Sequence, residues 1–232
     1  MRCIGMINFD RFADHDALAD AAASALAEAL AVPGARSFAA TGGTTPGPTY
    51  DRLARSPLAW ERITVTLTDD RWVDPSAPES NEALVRSRLL TGPAARAAFL
   101  PLKGSRASPE ADAAAADPML RALTPFAAVL LGMGADGHIA SMFPGAPGSA
   151  AALDPNGDRF CIGVDEASLD PRVPRISLTA RALISSALIV VLITGEEKRA
   201  VVERIGADRS FNPPAATILR QTRTPVRVLW AA

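Results

Sequence analysis

The sequence predicts an α/β fold in a single domain, with a mainly parallel sheet covered by helices on both faces. Three observations predict it. Apolar runs of strand length alternate with segments of helical period along the chain. Runs such as Ala127 to Leu131 and Ala187 to Thr194 are almost wholly apolar, as in strands buried on both faces. Glycines and charged residues gather just after the strands, where open α/β sheets bind their ligands.

Each element follows from its residues. Asp16 to Ala31 is rich in strong helix formers, and Leu18, Ala22, Leu26 and Leu30 recur every four residues; Pro33-Gly34 ends that helix. Arg36 to Ala40 is a short apolar strand that stops at Thr41-Gly42-Gly43-Thr44-Thr45-Pro46. A helix should follow, with Pro46 in its first turn and Tyr50, Leu53 and Ala54 inward. Ile63 to Leu67 alternates β-branched and apolar residues and reads as a strand that ends in a Thr68-Asp69-Asp70-Arg71 loop. Glu79 to Leu90 is the next expected helix, and Pro109 to Leu123 another, interrupted or entered at Pro118. Ala127 to Leu131 runs straight into Gly132 to His138. Pro144 to Asp158, rich in Gly and Pro, reads as a surface loop. Phe160 to Val164 and Arg175 to Leu178 are short strand candidates. Ala187 to Thr194 is the clearest buried strand, followed by Gly195 and a helix over Glu196 to Ile205. Val226 to Trp230 is the last strand.

Composition narrows the function. The 232 residues hold 24 Lys or Arg against 25 Asp or Glu, so the net charge of -1 offers no general attraction to nucleic acid. No apolar run approaches the roughly 20 residues that span a bilayer. Met1 to Phe9 lacks the basic flank and apolar stretch of a signal peptide, so the expected compartment is the cytoplasm. Cys3 and Cys161 cannot form a disulfide framework, and with only His15 and His138 they match no zinc spacing; buried free thiols are expected.

Four strand-end loops hold the chemistry. In Thr41-Gly42-Gly43-Thr44 the glycines let the backbone approach an anion closely, and the following helix start adds partial positive charge. A tight turn with Thr capping the helix explains the same residues. Gly132-x-Gly-x-Asp-Gly-His138 can fold around a ligand and present Asp136 and His138 inward. A histidine can take a proton from water near neutrality, and a neighbouring carboxylate can orient its ring. His15, between Asp14 and Asp16, reads as a solvated residue. Asp69-Asp70-Arg71 suits metal binding, acid–base work or a guanidinium fork on a substrate oxygen, and equally an exposed turn held by ion pairs. Arg175 and Lys198 could serve a phosphate dianion or be surface charge, with Lys198 paired to the glutamates beside it.

Taken in order from Ala39 to Gln221, these segments resemble the 6-phosphogluconolactonase family, within its glucosamine-6-phosphate isomerase-like superfamily. The residues carrying the likeness are Thr-Gly-Gly-Thr-Thr-Pro46, Thr-Asp-Asp-Arg71 with Glu79-Ser-Asn81, and Leu-Gly-Met-Gly-Ala-Asp-Gly-His138-Ile-Ala-Ser141-Met-Phe-Pro-Gly145. Arg175-Ile-Ser-Leu-Thr179 and Gly195-Glu-Glu-Lys198 complete it. The resemblance implies one domain over residues 1–232 with a Rossmann-like sheet. It implies hydrolysis of 6-phospho-D-glucono-1,5-lactone to 6-phosphogluconate in the oxidative pentose phosphate pathway, with no cofactor and no required metal. Gly42, Gly43 and Thr44 would bind phosphate, and Arg175 and Lys198 would supply its countercharge. His138 would activate water with Asp136 beside it, Arg71 would hold the lactone end, and Asp69 and Asp70 would support the site. The family usually has Ser where Thr41 stands and Asp-Glu-Arg where this chain has Asp69-Asp70-Arg71. The implied partner is a phosphorylated sugar lactone, with no nucleic acid and no membrane, for a monomer or weak homo-oligomer.

Two rival readings differ in identifiable residues. Glucosamine-6-phosphate deaminases share Asp-Gly-His-Ile-Ala but continue with a glutamate of their acid–base relay where this chain has Phe143. A non-catalytic sugar-phosphate sensor of the kind found in transcription regulators would carry a helix-turn-helix. The 40 residues before the Gly-Gly loop hold only one Ala-rich helix and one strand, and a sensor needs neither Asp136 nor His138.

Overall fold

The computed structural model describes residues 7, 9–34, 36–165 and 172–232. The chain runs β1 (Phe9–Phe12), α1 (His15–Leu30), β2 (Arg36–Ala40), α2 (Gly47–Leu53), β3 (Ile63–Leu67), β4 (Asp69–Arg71), α3 (Asn81–Arg88) and β5 (Ala98–Phe99). It continues through α4 (Pro109–Leu123), β6 (Ala128–Leu131), α5 (Ser149–Ala152), β7 (Cys161–Val164), β8 (Arg175–Leu178) and α6 (Ala180–Ile184). β9 (Ile189–Thr194), α7 (Glu196–Ala207), α8 (Pro214–Arg220) and β10 (Val226–Ala231) follow.

Seven strands form one sheet in the order β1-β10-β9-β6-β2-β3-β5, every pairing parallel. From β2 the chain steps outward to β3 and β5, then returns to β6 on the other side of β2 and steps outward through β9 and β10. The β2/β6 border is therefore the switch point of a doubly wound sheet, where a crevice opens at the carboxyl ends. Crossovers of one hand put the connecting helices on opposite faces to either side of it. Accordingly α1 packs with α2, while α6 and α7 pack with α8. Burial follows the expected patterns: all of β6 is buried, and so are Leu18, Ala22, Leu26 and Leu30 on one stripe of α1. Asp14 caps that helix by accepting from the Ala17 N–H at 2.8 Å.

The loop expected over Thr68 to Arg71 is instead the start of a second sheet. Thr68 still donates to the Ala40 carbonyl at 2.8 Å, but its own carbonyl accepts from Leu178. The chain thereby leaves the parallel sheet, and β4 pairs antiparallel with β8 in the order β4-β8-β7. α4 covers β7 and β8. Gly163 is required there, since a Cβ would lie 2.3 Å from the Glu110 backbone nitrogen. α4 runs unbroken through Pro118, contrary to the expected interruption. The lost N–H bond and ring clash cost about 3 kcal/mol, offset by burial of Ala113, Ala116 and Leu120. α3 begins at Asn81, not Glu79, because Ser80 caps it by accepting from Ala83. The expected loop over residues 144–158 contains α5. Cys161 is a buried free thiol, and Cys3 lies outside the described residues. Among the described residues, no helix is long and apolar enough to cross a membrane.

Candidate active site

The carboxyl ends of β2, β3, β6 and β9 border one open cleft with an empty volume of about 800 Å³, part of it open to solvent. Residues 41–46 and 132–134 line it with Asp69, Arg71, Asn81, His138, Ala140, Arg175, Leu192 and Lys198.

After β2, the buried Tyr50 hydroxyl donates to the Thr41 carbonyl at 2.5 Å and ties the loop to α2. Gly43 adopts φ +93°, open to glycine at little cost. Gly42 leaves no room for a side chain: a Cβ would lie 1.8 Å from the Asn81 Oδ1. This loop and the start of α2 therefore present backbone and hydroxyl groups of Gly42, Gly43 and Thr44 to the cleft.

The loop after β6 closes on itself, with Gly134 donating to the His138 carbonyl and Gly137 to the Gly134 carbonyl, both at 3.0 Å. Asp136 Oδ1 lies 2.6 Å from His138 Nδ1 and accepts the His138 backbone N–H at 3.1 Å. A carboxylate there keeps the proton on Nδ1 and leaves the Nε2 lone pair for a ligand. Gly134 makes the pair possible, since a Cβ would fall 2.1 Å from Nδ1. Phe143 packs on the His138 ring at 5.0 Å between centroids. Ala140 lines the cleft at φ +47°, the one non-glycine in the left-handed region among the described residues.

β4 and β8 supply the charge. Asp69 Oδ2 accepts from Ser141 Oγ at 2.6 Å, and Oδ1 from Thr68 Oγ1 at 3.2 Å. Asp70 turns away from the cleft and accepts the N–H groups of Arg71, Asn81 and Glu82 at 2.8, 2.6 and 3.2 Å. Burial pushes its carboxyl up to about 6, against the opposing pull of those backbone donors. Neither aspartate sits in the exposed turn that one reading of the sequence allows. Arg71 Nη1 donates to the Glu79 carbonyl and to Asn81 Oδ1 at 2.9 and 2.8 Å.

Arg175 is directly opposite Arg71 in the β4/β8 register, and its guanidinium stands 5.3 Å from the Phe143 centroid. It is 4% exposed, which overturns the reading of Arg175 as surface charge. Burial, then the neighbouring Arg71, holds its pKa below the usual guanidinium value. A buried guanidinium beside a half-buried one makes an anion the natural occupant of the space before them. Lys198, in the first turn of α7, faces the same cleft. It makes no ion pair with a described residue, because Glu196 engages Arg199 at 2.7 Å instead.

Gly42, Gly43, Thr44, Asp69, Arg71, His138, Arg175 and Lys198 thus meet at one cleft, with Asp136 behind His138 and Asp70 beneath Arg71. Asn81 and Ala140 also line the cleft; the sequence motifs contain them but assign them no role. Among the described residues, no three His, Cys, Asp or Glu side chains gather as a metal site.

Fold and cleft together define a doubly wound α/β protein with a cation-lined cleft at its switch point and a histidine–aspartate pair beside it. The family model for glucosamine-6-phosphate isomerases/6-phosphogluconolactonase matches residues 10–230, and the chain belongs to that family. Over 231 residues it is 46% identical to the 6-phosphogluconolactonase of Caulobacter vibrioides, with 97% of each chain covered. The 6-phosphogluconolactonase of Mesorhizobium japonicum is 39% identical, with 97% of this chain and 95% of that one covered. A crystal structure of a 6-phosphogluconolactonase from Shewanella baltica superposes with a TM-score of 0.90 at 34% identity, covering 98% of this chain and all of that one.

Proposed function

We propose that the protein hydrolyses 6-phospho-D-glucono-1,5-lactone to 6-phosphogluconate, in the cytoplasm and as part of the oxidative pentose phosphate pathway. The observation that carries this reading is the His138–Asp136 pair, 2.6 Å apart, facing a cleft that also presents Arg71, Arg175 and Lys198. Close kinship with proteins named for this activity supports it.

The Gly42 to Thr44 loop, Arg175 and Lys198 hold the phosphate and so position the ring. His138 Nε2 takes a proton from water as the water oxygen bonds to the lactone carbonyl carbon. Arg71 stabilises charge on the carbonyl oxygen. The C–O ring bond then breaks, and the departing ring oxygen receives the proton from His138, leaving a free hydroxyl and a carboxylic acid that releases its remaining proton to solvent to become the carboxylate. The leaving alkoxide of a lactone is tethered and the ester activated, so no side-chain nucleophile is needed.

Phe143 argues against the deaminase reading. It is fully buried against the His138 ring, where an acid–base relay would need a carboxylate. The test is lactone hydrolysis above the spontaneous background. His138→Asn should lower turnover by about 10² to 10⁴ while leaving 6-phosphogluconate binding largely intact. Near-normal turnover in that variant would remove the mechanism.

A further inference from the structure

We infer that Asn81 is a positioning residue that sets the Arg71 guanidinium for the reaction, an inference that rests on the lactonase reading. Both polar atoms of its buried side chain are committed. Nδ2 donates to the Asp69 carbonyl at 2.7 Å, and Oδ1 accepts from Arg71 Nη1 at 2.8 Å. Those two partners fix the orientation of the amide, because a carbonyl can only accept and a guanidinium can only donate. The Asn81 backbone N–H is held by Asp70 Oδ1 at 2.6 Å, which anchors the residue at the start of α3. Its amide fills the space above Gly42, where a Cβ would strike it.

One short side chain therefore joins three parts of the cleft: the glycine loop, the β4 backbone and Arg71. The half-buried Arg71 stands opposite a buried cation, Arg175, and the two repel each other electrostatically. A neutral acceptor on Nη1 opposes that push without neutralising the guanidinium, as a carboxylate would. The Arg71 Nε is buried and makes no hydrogen bond to a described residue. Asn81 and the Glu79 carbonyl thus fasten one end of the fork and leave the rest for an incoming oxygen.

A double-mutant cycle tests this on the full chain, with Asn81→Ala, Arg71→Ala and the pair assayed for lactone hydrolysis. Asn81→Ala is expected to lower kcat by about 10- to 100-fold with KM within about threefold, since the misplaced group acts on charge formed during reaction. In the Arg71→Ala background the same change should cost less than about threefold, because the group it positions is gone. Equal losses in both backgrounds would overturn the inference, since Asn81 would then act independently of Arg71. Should Asn81→Ala fail to fold, as judged by circular dichroism, Asn81→Ser carries the same cycle with the same expected and overturning results. If the wild-type protein hydrolyses no lactone above background, the functional reading fails on its own. The cycle is then read as affinity for 6-phosphogluconate by calorimetry, where additive losses overturn the coupling and non-additive losses uphold it.

Discussion

Arg175 and Lys198 both face the cleft, yet their surroundings predict opposite effects on stability. Arg175 is buried, and its environment disfavours its charge through desolvation and then through Arg71. Taking a charge out of water carries a penalty of several kcal/mol per ion, which an apolar residue of similar volume does not bear. Arg175→Met should therefore leave the melting temperature of the ligand-free protein unchanged or higher, while affinity for 6-phosphogluconate falls by about 1.5 to 3 kcal/mol. Thermal melts with and without the ligand, beside calorimetry, read both quantities. A ligand-free variant that melts well below the wild type would mean that Arg175 is structural. Lys198 is half-exposed in the first turn of α7 and makes no ion pair with a described residue. Lys198→Ala should weaken binding of 6-phosphogluconate by a similar amount with the melting temperature unmoved, and should leave the affinity for unphosphorylated gluconate unchanged.

At the scale of elements, β4 and α3 form the mount for Arg71, and Asp70 is the residue that joins them. Its carboxylate accepts three backbone N–H groups and the Ser80 hydroxyl. An amide in its place would offer one acceptor and turn two donors toward donors. Asp70→Asn should cost about 1 to 3 kcal/mol for the unsatisfied groups, or about 2 to 12 °C in melting temperature for a chain of this size. A variant that melts within a degree of the wild type would show that the joint is not needed. β4 also marks the limit of what the sequence discloses. Buried parallel strands such as β6 and β9 are legible because their residues are apolar save the terminal Thr194, and the Gly-rich loops because their composition is local. β4 reads as a turn because its partner β8 lies more than a hundred residues further on. β1, with Asp10 paired to Arg227 on an exposed edge, carries no strand-like alternation, and β5 has only two residues. The short helices α6 and α8 leave no mark in the sequence, being too brief to display a helical period. Asn81 is visible there as part of a helix start and of the Glu79-Ser-Asn81 motif, but its role is not, since that comes from Arg71 and Gly42, neither of them its neighbour in sequence.

The whole molecule is nearly neutral, with a net charge of -1, but its switch point is not. Strand ends from both halves of the sheet bring Arg71, Arg175 and Lys198 to one cleft where, among the described residues, Asp69 is the single lining carboxylate. Three cations are enough to meet a phosphate dianion and one developing oxyanion. The three aspartates near the cleft are each engaged elsewhere: Asp69 by Ser141, Asp70 by the backbone at the start of α3, and Asp136 by His138. A hard cation such as Mg²⁺ wants six oxygen ligands in near-octahedral array, and these carboxylates point to different neighbours. The positive charge for catalysis is therefore expected to come from side chains alone. Activity should survive exhaustive treatment with EDTA followed by desalting, with kcat/KM for the lactone within about twofold of the untreated enzyme, a change worth only about 0.4 kcal/mol. Loss of activity that returns on adding one particular divalent ion would recast the three aspartates as ligands and move the electrostatic burden of the reaction from Arg71 to the metal.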